Sequence, residues 1–216
     1  MTQQIPDALL LITPTCPHCP AVLQGLTQLL KETRLGTLEV VNINAHPERA
    51  EALGVRGVPW MRIGEFELEG SHTPSELKTW VERAGSPSGV ADYFTELLDA
   101  GQLAKATEQL KQHPEWMTSL IDLVRSGESG ISVRLGIGAM FEDLAGSELL
   151  KESTEALAGL LDSDNHGVRA DAVHYLGLTR NPAALPRIKQ ALDDAEEEVR
   201  EIAAETLTEL SNHGIA

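Results

Sequence analysis

The chain has 216 residues, 42% of them hydrophobic but only 4% aromatic, and a formal net charge of -16. That length holds one or two domains, and the low aromatic share favours helices packed through Ala and Leu. The surplus of acid excludes nucleic acid and anionic membrane as expected partners, because both demand a basic surface. The charge is uneven: residues 1–84 carry ten acids against seven Lys and Arg, and residues 85–216 carry twenty-three against ten. Two units with different surfaces are expected. No apolar run approaches the ~20 residues of a membrane span. The start, Met1-Thr2-Gln3-Gln4-Ile5-Pro6-Asp7, lacks the basic segment of a secretory leader, so a cytoplasmic location is expected.

Apolar residues 8–12 predict a first strand, followed at once by Thr13-Pro14-Thr15-Cys16-Pro17-His18-Cys19-Pro20. These are the only two cysteines in the chain. A disulfide framework uses many spread cysteines to close long loops, whereas a bridge across two residues constrains almost nothing. Chemistry is the better reading. A strand running through C-x-x-C into a helix sets the first thiol at a helix N-terminus, where unpaired N–H groups and the macrodipole favour a thiolate. Two plainer readings are an ordinary cysteine pair and half of a zinc site. Zinc takes four ligands, and no second C-x-x-C or H-x3-5-H supplies the rest.

Pro17 is expected at the first helical position and Pro20 at about the fourth, where it would cost the first intrahelical bond. Val22, Leu23, Leu26, Leu29 and Leu30 recur at helical spacing to about Arg34, with Gly36 as the stop. Residues 38–43 read as a second strand, 47–53 as a short helix, 60–63 as a third strand and 65–69 as a fourth. Thr73-Pro74-Ser75-Glu76 is a capping box that opens a helix to about Ala84. The order is β-α-β-α-β-β-α. Helical crossovers predict that strands one to three are parallel, and the Gly64 turn makes strands three and four antiparallel.

This order, Thr13 to Pro20 and Val55-Arg56-Gly57-Val58-Pro59 together resemble the thioredoxin superfamily in its minimal form, over residues 8–84. The cysteine segment looks most like the glutaredoxin-like units of protein disulfide oxidoreductases. The resemblance implies that Cys16 is the attacking thiol and Cys19 the buried resolving thiol. It implies a cis Pro59 facing the sulfurs and a Val58 backbone offered to an extended substrate. Cys16, Pro17, His18 and Cys19 then form the catalytic set, and Thr15, Val58 and Pro59 the substrate-binding set.

Departures from the family pattern matter. Thr15 stands before Cys16 where typical thioredoxins have Trp, and the Pro-His pair resembles strongly oxidising bacterial periplasmic members. A His18 at the second helical position can give a hydrogen bond or positive charge to the Cys16 thiolate, which raises the reduction potential. The alternative for His18 is a solvated residue with no such contact. Typical thioredoxins keep a buried Asp on the first strand, where this chain has Leu10.

Gly85-Ser86-Pro87-Ser88-Gly89 is turn-rich and predicts a domain boundary: residues 1–85, a linker 86–90, and a helical unit 91–216. Beyond it nothing reads as strand, but there is a repeat. Leu161-Asp162 recurs as Leu192-Asp193, Val168-Arg169 as Val199-Arg200, Ala172 as Ala203 and Leu176 as Leu207, always 31 residues on. A looser copy, Val133-Arg134, stands 35 residues before Val168-Arg169. Such a period means stacked helix pairs. The Asp near each turn suits a helix N-cap, and the small Ala allows close helix approach. Over residues 130–211 the pattern looks like short HEAT repeats, with 90–127 a degenerate capping pair. Trp116, His166 and His174 read as packing or surface, and Glu196-Glu197-Glu198 as a solvated first turn.

The expected fold class is therefore an α/β thioredoxin-like domain, with a four-stranded mixed sheet, followed by an all-α HEAT-like solenoid. The expected function is thiol–disulfide exchange on protein disulfides, with no cofactor and no metal. The partner is a protein carrying a disulfide or thiol, and a basic protein could dock on the acidic repeats. A different class of reading makes the repeats an interaction scaffold and the cysteine pair its redox switch. Glutathione-linked chemistry would need a basic or polar groove that no segment signals.

Overall fold

The computed structural model describes residues 5–215; Met1 to Gln4, where the reading for a leader begins, and Ala216 lie outside them. The apolar strand β1 (Ala8–Ile12) is central, in a sheet of order β2-β1-β3-β4 with β2 (Leu38–Asn42), β3 (Trp60–Ile63) and β4 (Phe66–Glu69). Its residues are uniformly apolar because both faces are covered. Leu9, Leu11, Val41 and Trp60 share one face with Ala50 of α2 (Pro47–Ala52) and the flanking Ile43, Leu53, Val55 and Val58. Leu10, Met61 and Ile63 point to the other face, where α1 (Cys19–Lys31) and α3 (Pro74–Ala84) bury Val22, Leu26, Leu77 and Trp80. A Cβ on Gly25 would stand 2.6 Å from Leu77 Cδ1, so glycine is what lets these two helices touch.

The predicted strand directions need correction. β1 and β2 are parallel, but β3 runs antiparallel to β1, and β4 antiparallel to β3. A crossover returns the chain to its starting end only if the helix spans the strand. The 13 residues of α1 cover about 20 Å and do so. The six residues of α2 cover about 9 Å, so β3 is entered at the end where β2 leaves.

Helix ends also shift. α1 begins at Cys19 with His18 as its N-cap, so Pro17 precedes the helix and Pro20 falls in its first two positions. There its missing N–H costs nothing, because those donors have no intrahelical acceptor. The first bond of the helix runs from Val22 N to His18 O. α1 stops before Gly36, at Glu32 and a left-handed Thr33 (φ 56°), whose turn is closed by Arg34 N donating to Leu29 O at 3.0 Å. The capping box of α3 is complete. Thr73 Oγ1 accepts from Glu76 N at 3.3 Å, and Glu76 Oε2 accepts from Thr73 N at 2.7 Å.

Contacts group the chain into two compact units, Met1–Tyr93 and Phe94–Ala216, and the division lies inside α4 (Gly89–Asp99). Tyr93 is only 1% exposed. It stacks on Phe66 at 4.9 Å, meets Trp80 edge-on at 5.7 Å, and donates its hydroxyl to Glu67 O at 2.9 Å. Burial holds its phenol pKa above the ordinary range.

The second unit continues with α5 (Leu103–Gln112), α6 (Met117–Ser126), α7 (Ile131–Asp143), α8 (Glu148–Glu152), α9 (Thr154–Ala158), α10 (His166–Thr179), α11 (Leu185–Gln190) and α12 (Glu197–Asn212). The recurring Val-Arg pair occupies the third and fourth positions of α7, α10 and α12. Each Val is buried. Two of the arginines turn back to bind the loop before their own helix. Arg169 Nη1 donates to Ser163 O and Asp164 O, and Arg200 Nη1 donates to Asp194 O and Ala195 O. The repeat therefore encodes a loop clamp. Asp162 and Asp193 are not N-caps, because α10 and α12 begin several residues later, capped at Asn165 and Glu196. Asp162 instead accepts from Arg187 Nη2 at 2.8 Å. Ala172 and Ala203 are fully buried, and a Cβ on Gly177 would collide with Thr206.

Arg169 also grips Asp194 of the next repeat through two 2.8 Å bonds, with both side chains largely buried. The Arg169 guanidinium holds the Asp194 carboxyl down at about 2. Folding lowers this pKa, so the stabilisation is complete above the ordinary value near 4 and is lost as pH falls from there through about 2. Arg169→Met should therefore be less stable than the parent at pH 7, and chemical denaturation at stepped pH should show that gap closing between about pH 4 and pH 2. A gap that stays constant over this window would rule out the ion pair as its source.

Candidate redox site

The site is built where β1 gives way to α1. Cys16 N donates to Thr13 O at 3.3 Å, a turn that lifts Cys16 off the sheet end. Cys16 is half-buried and bonded to Cys19 as a disulfide, with Cα atoms 5.5 Å apart. Cys19, the first residue of α1, is 3% exposed. Its backbone N–H donates to Cys16 Sγ at 3.1 Å. The helix start thus meets the outer sulfur through a particular amide as well as through its dipole.

The proline loop closes the other side. Val58 O lies 3.7 Å from Cys16 Sγ, across 42 residues of sequence. The Val58–Pro59 peptide is cis. Gly70 N donates to Pro59 O at 2.9 Å, tying the loop after β4 to the proline loop. The sequence pointed to unpaired helix-start N–H groups beside Cys16 but not to which amide, and it held no sign of the Gly70 tie, a backbone contact that carries no side-chain signature.

Thr15, Pro17 and His18 are exposed around the pair. His18 is the N-cap rather than the second helical residue, with helical backbone angles and no side-chain capping bond. Leu10 is fully buried and pairs with Met61, so an apolar side chain occupies the strand position where typical thioredoxins have Asp. In the second unit, Trp116 is buried edge-on against Phe94, while His166 is exposed beside Glu198 and His174 is half-buried beside Glu142. Among the described residues no cluster of three or more His, Cys, Asp or Glu is arranged to hold a metal ion, and no helix is long and apolar enough to cross a membrane.

A four-stranded mixed sheet with a bonded cysteine pair at the head of its first helix defines a thioredoxin-fold protein with a redox-competent site. Comparison with known sequences agrees. Residues 8–82 match the Thioredoxin domain family, and residues 133–208 match the HEAT repeats family. A thioredoxin of Methanocaldococcus jannaschii is 31% identical over 70 residues, which are 32% of this chain and 82% of that protein. The chain belongs to the thioredoxin family and carries HEAT repeats after its redox domain.

Proposed function

We propose that the chain is a thiol–disulfide oxidoreductase acting on protein disulfides, and that its repeats recruit the protein partner. The observation that carries this reading is the asymmetry of the pair: a half-buried Cys16 whose sulfur takes an amide N–H, bonded to a Cys19 that solvent barely reaches. In the reducing direction the Cys16 thiolate attacks one sulfur of the substrate disulfide. A mixed disulfide forms and the substrate's other sulfur leaves as thiolate. Cys19, giving up its proton, then attacks Cys16 Sγ and expels the second substrate thiolate. The substrate gains two electrons and the pair is left as its disulfide, which a thiol donor resets. Run backwards, the same steps oxidise a dithiol.

His18 and Pro17 flank the attacking sulfur and tune it. Thr15, the Val58 backbone and Pro59 border it and bind the extended substrate. No cofactor is required. A single C-x-x-C pair fits a thiol-reducing compartment, so the cytoplasm is the proposed setting.

The test is the titration of Cys16. In a Cys19→Ser variant its alkylation rate should rise with an apparent pKa well below the ~8.5 of a free thiol, and His18→Leu in that background should move it upward. The converse Cys16→Ser variant should show no such low value for Cys19. A Cys16 pKa at or above a free thiol's would overturn the reading.

A further inference from the structure

The second unit leaves an apolar stripe uncovered. Ile131 and Leu135, one turn apart on α7, are 77% and 68% exposed, although the opposite side of the same helix buries Val133, Ile137 and Met140. Large apolar side chains this open on a helix with a second apolar face mark a surface meant for contact. Helix α5 packs beside α7, and Lys111 and Asp143, near their C-terminal ends, pair at 2.9 Å. Leu103 is also exposed.

The rest of that face is acidic. His174 on α10 reaches Glu142 on α7, and His166 on α10 reaches Glu198 on α12, so the exposed sides of α7, α10 and α12 form one continuous surface. Arg134 on this surface is held in two bonds by Asp171. On α12, Glu198, Glu201 and Glu205 are exposed, and the helix's one basic residue, Arg200, is spent on loop carbonyls. Negative charge here is therefore in excess, beside an apolar stripe of helical spacing.

We propose that this face, formed by α7, α10 and α12, is the docking surface for a basic amphipathic helix of the partner protein. The partner's apolar side covers Ile131 and Leu135, and its Lys or Arg residues meet Glu142, Glu198 and Glu201. The proposal rests on the reading of the repeats as the recruiting part and names what they recruit. Charge decides the occupant. A second copy of a chain with net charge -16 and an anionic membrane are both repelled, whereas a basic helix is steered in.

The test uses the full chain with Cys16→Ser and Cys19→Ser, so binding is read whether or not the redox reading holds. The probe is a fluorescent 18-residue peptide of Leu and Lys with leucines at helical spacing, alongside a scrambled peptide of the same composition. Fluorescence anisotropy should show saturable binding of the amphipathic peptide that weakens as salt rises. Ile131→Ser with Leu135→Ser should weaken it about tenfold or more, and Glu198→Lys with Glu201→Lys should flatten its salt dependence. Circular dichroism checks that these exposed substitutions leave the fold intact. Equal binding of the scrambled peptide, or undiminished binding by the serine variant, overturns the proposal. So does a dimer in sedimentation that the serine substitutions dissociate, because the face then belongs to a second copy. A wild-type chain that binds the peptide but reduces no disulfide would sink the redox reading and leave this surface standing.

Discussion

Cys16→Ser should reduce turnover of a small aromatic disulfide by about 10³-fold or more, because the one thiol that remains, Cys19, is only 3% exposed and out of a substrate's reach. Cys19→Ser should behave differently. Cys16 keeps its place above the α1 amide and still attacks, so a first stoichiometric release of thiol survives. The mixed disulfide then persists, since the group that would expel the substrate has gone. Mass spectrometry of the intact protein reads this directly as an adduct on Cys16, and stopped-flow absorbance reads the burst. If Cys16→Ser retains turnover, the assignment of the attacking sulfur is wrong. If the wild type turns over no faster than a free dithiol, the pair is a switch for the repeats and not a catalyst.

Removing Tyr93 should destabilise the redox unit by about 3–5 kcal/mol, the range for deleting a buried aromatic side chain. A domain of this size has on the order of 5–10 kcal/mol to lose. A fragment of residues 1–85 ends before α4 and uncovers Phe66 and Trp80, which Tyr93 covers in the intact chain. It should therefore be marginal or unfolded. A fragment of residues 1–99, with Phe94, Leu97 and Leu98 changed to Gln for solubility, should unfold cooperatively at clearly higher urea. Emission from Trp60 and Trp80 follows both transitions. Tyr93→Phe in the longer fragment separates the two contributions, since losing only the hydroxyl bond to Glu67 O should cost about 1 kcal/mol. Equal midpoints for the two fragments would place the working boundary back at residue 85. If the longer fragment also reduces the small disulfide at the full chain's rate, the repeats act on the partner and not on the chemistry.

Much of the molecule is local, and for that reason it could be read from the chain. Strand β1 is an unbroken apolar run because it is covered on both faces. The Thr73-to-Glu76 box names its own helix, since both of its bonds close within four residues. The C-x-x-C pair needs only two intervening residues to bring its sulfurs together, and the 31-residue period declares stacked helices, because each pair must bury its apolar side on the next. What the tertiary structure alone decided lies in contacts between distant segments. The direction of β3 depended on how far six helical residues of α2 could carry the chain. The proline loop and the helix start were expected beside Cys16, but which atoms meet its sulfur, the Val58 carbonyl and the Cys19 amide, was settled by packing. The Asp-and-Arg repeat resembled capping chemistry, yet its arginines clamp loops and, at Asp194, reach into the next repeat. Tyr93 lies beyond the apparent linker, and only the aromatic cluster of Phe66 and Trp80 shows that it completes the first core. Sequence pattern reports which face of an element is apolar, and it is the geometry of packing that chooses which neighbour fills it.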